Sequence, residues 1–206
     1  KYCVGDISSV GNTKYDTPLL RSILKINRGD IYDSQHLNER VSFDANGNDV
    51  ASIYLNNGYL FSQVVPIEKN VQNDTIDVEI RIQEGRQATI RKVSITGNER
   101  TNDHVIYREV RTRPGDLFSK AMIQRTIREL SQLGYFDQTQ IGVNPVPDPQ
   151  TGTVDLEYTV VEKSTSQLEL QGGWGANRVV GTLGLNFNNF SAKNIGNKRA
   201  WQPLPT

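Results

Sequence analysis

The chain has 206 residues, and its 23 lysine and arginine residues balance 23 aspartate and glutamate residues, so the formal net charge is zero. A balanced charge argues against a nucleic-acid-binding protein, which usually carries a basic excess or stripe. A single cysteine excludes a disulfide within the chain, and two scattered histidines are too few for a zinc site. We therefore expect no metal, no cofactor and no nucleic-acid partner.

The sequence contains two copies of one pattern. Gly11-Asn12 recurs as Gly97-Asn98, and in both places the pair follows a short run rich in β-branched residues. Farther along, Gly58-Tyr59 recurs as Gly134-Tyr135 at a shorter spacing, so the first copy holds extra residues, from about Val41 to Val50. A repeat of this length predicts two similar structural units in series.

The first copy is expected to form a domain over residues 1–85 with the order β-α-α-β-β. Its predicted elements are a strand over residues 4–10, a helix from Thr17, a second helix over residues 35–57, and strands over residues 61–67 and 75–83. Pro18 suits the first turn of a helix, where its missing N–H costs nothing. The extra residues predict an interruption of the second helix.

The second copy is expected to form a domain over residues 86–163 with the same order. Its first strand ends at Gly97, Asp103 is the predicted N-cap of the first helix, and Ser119 is the predicted N-cap of the second, which ends at Gly134. The remaining predicted elements are strands over residues 136–143 and 153–161, joined by a turn-rich segment over residues 144–152.

Residues 164–206 have a different character. Residues alternate between two faces from Ser166 to Trp174 and again from Val179 to Phe187, with a turn predicted at Gly175 to Arg178. Strands of roughly 9 to 11 residues with this alternation are typical of outer-membrane barrels, although a soluble amphipathic hairpin has the same pattern. In a barrel, the residues expected at the lipid face or the aromatic girdle are Leu168, Leu170, Trp174, Leu183, Leu185, Phe187 and Phe190.

The chain reads as a piece of a longer protein, truncated at both ends. Residues Lys1 to Val4 lack the features of a signal peptide and already look like part of a strand, and the loop-like run Trp201 to Thr206 directly follows a strand pattern. No stretch approaches the 18 consecutive apolar residues that indicate a membrane-spanning helix.

Several conspicuous residues have structural interpretations. Glycine and asparagine tolerate positive φ, which predicts turns or caps at Gly11, Asn12, Gly58, Gly97, Asn98 and Gly134. The segment Asp44 to Asp49 resembles a calcium loop, but it has Asp49 and Leu55 where an EF-hand needs glycine and glutamate, so we expect a solvated loop. We identify no catalytic residue, and the sequence gives no support for an enzyme.

Three short motifs together carry a resemblance to a known family. They are Gly-Asn after the first strand, Gly-Asp-(Leu/Ile)-(Phe/Tyr) between the helices, and Leu133-Gly-Tyr-Phe136 before the second strand. Tandem units with these motifs resemble POTRA domains, and the tail resembles the opening strands of Omp85-type barrels. The resemblance covers essentially the whole chain, but the first copy departs from it with Asn57-Gly-Tyr-Leu60 and with its insertion near Asp44.

The resemblance implies an α+β fold with two tandem POTRA domains followed by the start of a transmembrane β-barrel. It implies a place in the bacterial outer membrane with the POTRA region in the periplasm. The implied activity is insertion of β-barrel proteins, with unfolded outer membrane proteins, accessory assembly lipoproteins and outer membrane lipid as partners. We expect the chain itself to be a monomer.

The resemblance also implies where a substrate peptide binds. In POTRA domains the second strand is commonly a free edge, and an extended peptide can add to such an edge through main-chain hydrogen bonds. The residues expected to make this contact are Ser62, Val64, Val65, Ile67, Thr139, Ile141 and Val143.

Two alternatives remain open from the sequence. One is a two-partner secretion transporter, which exports one dedicated substrate through a related barrel. The other is a soluble periplasmic adaptor or scaffold in which residues 164–206 form only a hairpin. Further POTRA copies before Lys1 and a barrel-sized run of strands after Thr206 would select the insertase.

Overall fold

A computed structural model describes residues 2–44, 46–72, 74–163, 166–175 and 178–187. Within these residues the chain forms two three-stranded sheets, each packed against its own helices, and one two-stranded hairpin. None of the helices in these ranges is long and apolar enough to cross a membrane.

The first unit has a mixed sheet of order β1-β3-β2, in which β1 is parallel and β2 antiparallel to the central strand β3. Its core joins one face of this sheet to the helices, with Leu20, Leu24 and Tyr54 almost completely buried. The elements are β1 (Cys3–Val10), α1 (Thr17–Leu24), α2 (Ser34–Asn38), α3 (Val50–Asn56), β2 (Gln63–Gln72) and β3 (Thr75–Gln83).

The second unit repeats this topology with the sheet order β4-β6-β5. Its own core contains Ile106, Leu130 and Phe136, all inaccessible to solvent. The elements are β4 (Thr89–Thr96), α4 (Asp103–Glu109), α5 (Lys120–Gln132), β5 (Gly142–Asp148) and β6 (Thr153–Thr159). Two α+β units of the predicted element order are therefore present.

One prediction for the helices agrees with the structure, and another is wrong by one residue. The second helix of the first unit is interrupted as expected, because α2 runs into a π-helical turn at Glu39–Phe43 and a loop before Asp49 caps the new helix α3. In the second unit Asn102, and not Asp103, is the N-cap residue of α4. Asp103 already lies in the helix and its carboxylate accepts a hydrogen bond from the Asn98 side chain at 2.5 Å, so the predicted cap was one residue late.

A glycine and a glutamate close each unit in the same way. Gly11 and Gly97 have φ of +89° and +91°, and a Cβ on either would collide with a backbone carbonyl oxygen, that of Ile82 or Val160. The chain can pass this close only without a side chain, so both positions require glycine on two separate grounds.

In each unit, a glutamate after the last strand accepts hydrogen bonds from the loop that follows the first strand. Glu84 accepts hydrogen bonds from the backbone N–H of Lys14 at 2.8 Å and from the Tyr54 hydroxyl at 3.1 Å. In the second unit Glu162 accepts from the backbone N–H of Thr101 at 2.6 Å. Burial acts to raise the pKa of Glu84, but its hydrogen bonds outweigh burial and the pKa lies below its ordinary value.

The two units meet where α3 approaches the start of α5. The backbone N–H of Ala121 donates to Asn56 Oδ1 at 2.8 Å, so a side chain of the first unit caps a helix of the second. Lys120 Nζ donates to Ser52 Oγ at 2.9 Å and lies 3.9 Å from Oδ2 of the fully buried Asp49. Because Asp49 also caps α3, a single buried carboxylate links both helices.

Apolar side chains also contribute to this contact between the two units, which we call the joint. Leu55, Leu60 and Phe61 belong to the first unit but pack against the core of the second. The linker crosses the same place, since the backbone N–H of Ala88 donates to the carbonyl oxygen of Gly58 at 2.7 Å. The joint thus combines a hydrophobic contact with hydrogen bonds of defined direction.

The hairpin consists of β7 (Ser166–Gly175) and β8 (Arg178–Phe187), paired antiparallel around the predicted turn. Directly opposed residues share a face of a sheet, and the register pairs Leu168 with Leu185 and Leu170 with Leu183. Alternation along the two strands places Trp174 and Phe187 on the same face as these leucines, so six of the residues predicted to face lipid lie on one face of the hairpin. Phe190 lies outside the described residues, and the barrel itself stays a prediction.

Replacing Gly97 by alanine is expected to destabilise the second unit by more than the roughly 1–3 kcal/mol of a strained backbone conformation alone, because the new Cβ meets the Val160 carbonyl oxygen. Gly115→Ala is the matched control, since Gly115 has φ of +96° but no atom within 4 Å of an added Cβ. Urea unfolding followed by circular dichroism measures both. Equal losses of stability in the two variants would contradict the collision.

Candidate functional site

Each three-stranded sheet has two outer strands whose outward backbone groups need partners. The starts of β1 and β4 are covered in the same way, by single bridges from Cys3 to Ile31 and from Thr89 to Leu117. The opposite edges are β2 in the first unit and β5 in the second, the two strands of the predicted peptide site. Their capacity to accept another strand depends on which N–H groups point outward.

The predicted contact residues of the first unit lie largely on β2. Ser62 precedes the strand, and its hydroxyl is the one buried side-chain polar atom without a partner among the described residues. Val64 faces the core and is 8% exposed, whereas Val65 is 50% exposed on the other face, where Ile67 also lies, partly buried. The structure thus places these residues on both faces of one edge strand.

In the second unit the predicted strand position was wrong by several residues. Val143 lies in β5, but Thr139 and Ile141 precede it, because β5 begins only at Gly142. The Asp137 carboxylate accepts hydrogen bonds from the backbone N–H of Thr139 at 3.0 Å and from the Gln140 side chain at 3.0 Å. These bonds hold residues 137–140 in a turn, so the strand begins later in the sequence than predicted.

Proline removes the outward donors of β5. Pro145 and Pro147 pair with Leu156 and Val154 in an unbroken antiparallel ladder. Such a ladder needs the N–H of every second residue, so the two prolines must occupy the positions whose nitrogen atoms face away from β6. Pro149 continues the alternation just past the end of the strand. The β5 edge therefore presents carbonyl acceptors but no donor at these positions, which is a known way to block edge pairing.

The β2 edge keeps more of its donors. Pro66 pairs with Ile80, and since proline has no N–H, its nitrogen must face away from β3. Residues two positions apart on an antiparallel strand have the same orientation, so the N–H groups of Val64 and Glu68 also face outward. The carbonyl oxygen of Val64 is already occupied, because Ser42 Oγ donates to it at 3.0 Å from the π-helical turn. The open part of this edge consequently runs from Glu68 to the end of the strand, and its pairing with β3 is interrupted by a β-bulge or register shift between Glu68 and Asn70. We call residues 68–72 the open edge.

Side chains beside the open edge form a charged cluster on the outer face of the sheet. Glu79 on β3 accepts hydrogen bonds from Lys69 Nζ at 2.9 Å and from Arg81 Nη2 at 2.8 Å. The Glu79 side chain is only 10% exposed, because its two partners cover it. Hydrogen bonds from Arg81 and Lys69 outweigh burial and hold the pKa of Glu79 below its ordinary value. An apolar residue, Val71, is 52% exposed within the open edge.

The described residues contain no group of three or more histidine, cysteine, aspartate or glutamate side chains that could hold a metal ion. What the site offers chemically is main-chain hydrogen bonding beside exposed valine side chains and an ion-paired glutamate. This suits recognition of an extended polypeptide, with affinity that depends weakly on its sequence.

Known proteins share both the repeat and the fold. A family model described as POTRA, surface antigen variable number repeat, matches residues 2–85 and 88–163. Outer membrane protein assembly factor BamA of Neisseria meningitidis is 34% identical over 121 residues, 57% of this chain and 15% of that protein. BamA of Neorickettsia risticii is 29% identical over 192 residues, 93% of this chain and 24% of that protein. This chain thus spans less than two thirds of the length of either relative.

A solved structure agrees with the fold. The crystal structure of Haemophilus influenzae BamA POTRA3-5 superposes with a TM-score of 0.66 at 19% identity, over 78% of this chain and 61% of that chain. Together with the family match, these similarities confirm the resemblance inferred from the sequence.

Replacing Glu79 by glutamine is expected to make the free energy of unfolding depend less on pH in the acid range. A carboxylate with a lowered pKa in the folded state contributes stability that is present above its unfolded pKa of about 4.3 and lost as the pH falls through the folded pKa. Urea unfolding of the parent and Glu79→Gln from pH 7 to pH 3 measures this difference.

The matched control is Glu157→Gln. Glu157 lies at the equivalent place on β6 and forms no ion pair within the described part of the chain. Its substitution is expected to change the pH dependence of the free energy of unfolding less than Glu79→Gln does. If the free energy of unfolding of Glu79→Gln fell with pH as steeply as that of the parent, the stabilising role of the ion pairs would be contradicted.

Proposed function

This chain belongs to the POTRA family, and we propose that it is the periplasmic POTRA region of an outer membrane β-barrel assembly insertase. In this proposal it binds unfolded outer membrane proteins by β-augmentation and delivers them to the barrel for insertion. The observation that carries the proposal is an open edge at residues 68–72 in a chain similar to named assembly factors. No covalent bond is made or broken.

The physical task explains why a sheet edge is useful. An unfolded barrel precursor exposes unpaired N–H and C=O groups, which are costly in lipid and prone to aggregation in water. A strand edge forms temporary hydrogen bonds with these groups, and such bonds depend only weakly on side-chain identity. One site can therefore bind many precursors.

The two units have different roles in this proposal. The open edge of the first unit offers the outward N–H of Glu68, whereas Pro145 and Pro147 remove the equivalent donors from the second. An added strand exchanges hydrogen bonds in both directions and therefore needs donors as well as acceptors. We assign peptide capture to β2, and we assign to the second unit the placement of β2 relative to the hairpin.

Residues 164–206 are the start of the barrel in this proposal. Their hairpin has the strand length and the shared apolar face that a lipid-facing pair requires. Gly172 and Gly173 lie in β7 and would weaken its packing, which suits a seam that opens for a substrate strand. Accessory assembly lipoproteins and outer membrane lipid are the further partners that this role requires.

Replacing Glu68 by proline is expected to weaken binding of an extended precursor peptide by roughly two- to tenfold, the value of one lost hydrogen bond. The control is Glu68→Ala, which also loses the 2.6 Å hydrogen bond from the Tyr32 hydroxyl but keeps the N–H. Fluorescence anisotropy with a labelled peptide from one strand of a barrel protein measures affinity, and circular dichroism checks the fold. Equal affinities of two folded variants would overturn the assignment of β2.

The converse substitution should create a second site. In a chain that carries Glu68→Pro, replacing both Pro145 and Pro147 by valine restores two outward donors on β5, and peptide affinity is expected to recover. Pro149→Val, just beyond the strand, is the control and is expected to change nothing. No recovery in the double valine variant would show that donors do not limit binding at this edge.

A further inference from the structure

The open edge of β2 contains an extra residue. β2 pairs with β3 in a regular antiparallel register as far as Glu68, which lies opposite Val78. The next pair is Asn70 and Asp77, so Lys69 is the additional residue of a β-bulge. By contrast, β5 pairs with β6 in one continuous register along its whole length. The bulge therefore distinguishes the edge that keeps its donors from the edge whose prolines remove them.

The side chains of the open edge lie on two faces of different character. Directly opposed residues share a face of a sheet. Val71 pairs with Ile76, a residue of the buried core, so Val71 lies on the side of the sheet that carries the helices. Asn70 and Gln72, its neighbours in sequence, lie on the outer face. Lys69 belongs to that face too, because its ammonium group reaches the charged cluster there. The outer face of the open edge is therefore polar.

The helix side of the open edge presents an apolar surface. Val71 is 52% exposed, although Ile76 opposite it is only 5% exposed. Glu68 lies on the same side, since its partner Val78 also belongs to the core. The Glu68 carboxylate already accepts a hydrogen bond from the Tyr32 hydroxyl at 2.6 Å. What this side offers to a ligand is thus the exposed surface of Val71.

The backbone of Val71 faces away from the sheet. Residues at intervals of two along β3 have the same orientation, and Ile76 is four residues from Ile80, the partner of Pro66. The nitrogen of Pro66 faces away from β3, so the N–H and C=O groups of Val71, the partner of Ile76, face away as well. An added strand can exchange main-chain hydrogen bonds with Val71, and the residue that does so lies directly opposite it and on the same face.

We propose that the open edge prefers amphipathic strands, in which apolar and polar residues alternate, and binds them with the apolar face on the side of Val71. This inference rests on the proposed function and adds to it the class of peptide that the site favours. An apolar residue opposite Val71 covers its exposed surface, and the next residues of the strand lie on the polar face with Asn70 and Gln72. Alternation of this kind is typical of the strands of membrane barrels.

Two labelled peptides test the contact with Val71. One is a ten-residue fluorescein-labelled peptide in which valine alternates with threonine and lysine. The other has threonine in place of each valine, so it offers the same main-chain groups and side chains of the same shape with a hydroxyl in place of one methyl group. In fluorescence anisotropy with the 206-residue chain, Val71→Thr is expected to weaken the valine peptide roughly two- to fivefold, the value of one cross-strand pair, and to leave the threonine peptide unchanged.

The matched control is Val10→Thr. Val10 is 50% exposed at the end of β1, on the opposite edge of the sheet. Its counterpart in the second repeat is Thr96, so threonine suits this place in the fold. The control is expected to change the affinity for neither peptide, and circular dichroism checks that both variants are folded.

Disulfide formation tests which face of the peptide lies beside Val71. Val71→Cys or Asn70→Cys is introduced together with Cys3→Ser, which removes the single native cysteine. Each protein is mixed in a glutathione redox buffer with a valine peptide that carries one cysteine, in place of either a central valine or a central threonine. Val71→Cys is expected to react at least threefold faster with the cysteine at the valine position, and Asn70→Cys with the cysteine at the threonine position.

The outcomes separate this inference from the proposed function. If Glu68→Pro weakens binding but Val71→Thr affects both peptides equally or affects neither, the preference for an apolar face is wrong and capture by β2 stands. Equal reaction of Val71→Cys with the two cysteine positions would also overturn the preference alone. If Glu68→Pro and Val71→Thr both leave the valine peptide unaffected, this inference and the assignment of β2 fail together.

Discussion

Backbone hydrogen bonding at the edges of a three-stranded sheet is the constraint on which this molecule depends. A central strand is satisfied on both sides, but each outer strand has one row of N–H and C=O groups without a strand partner. Single bridges from Ile31 and Leu117 cover the starts of β1 and β4. Prolines remove outward donors from β5, and Ser42 occupies the first part of β2. The open edge is the part of β2 that remains.

The extra residues of the first repeat bear directly on this result. They lengthen the connection between the helices, and the π-helical turn at Glu39–Phe43 overlaps their start and places Ser42 against the start of β2. The same interruption lets Asp49 begin a separate helix, α3, whose far end carries Asn56 into the joint. One insertion thus shortens the open edge and supplies the polar contacts between the units. A uniform helix of the kind seen in α5 would have no N-cap carboxylate at this place.

Much of the fold follows from the sequence because local rules agree with the tertiary structure. Gly11 and Gly97 mark the ends of the first strands, and Ser119 caps a helix as its pattern predicts. The sequence pattern places the second strand of the second unit too early, because it assigns the prolines of β5 to a loop. On an edge strand, proline at alternate positions costs no hydrogen bond within the sheet, so a composition typical of loops is compatible with pairing. The joint involves residues such as Asn56 and Ala121, which are far apart in sequence, and no periodicity indicates such a contact.

The small size of the open edge fits the proposed role better than a long edge would. Each net main-chain hydrogen bond contributes only about 0.5–1.5 kcal/mol, and an edge of five residues provides few of them. A precursor held in this way is protected but released easily, whereas a long flat edge would hold it and would also recruit other copies of the chain. Prolines on β5 are consistent with this reasoning, because a second open edge would allow one precursor to bridge both units. Transient capture at one edge leaves the substrate free to move on.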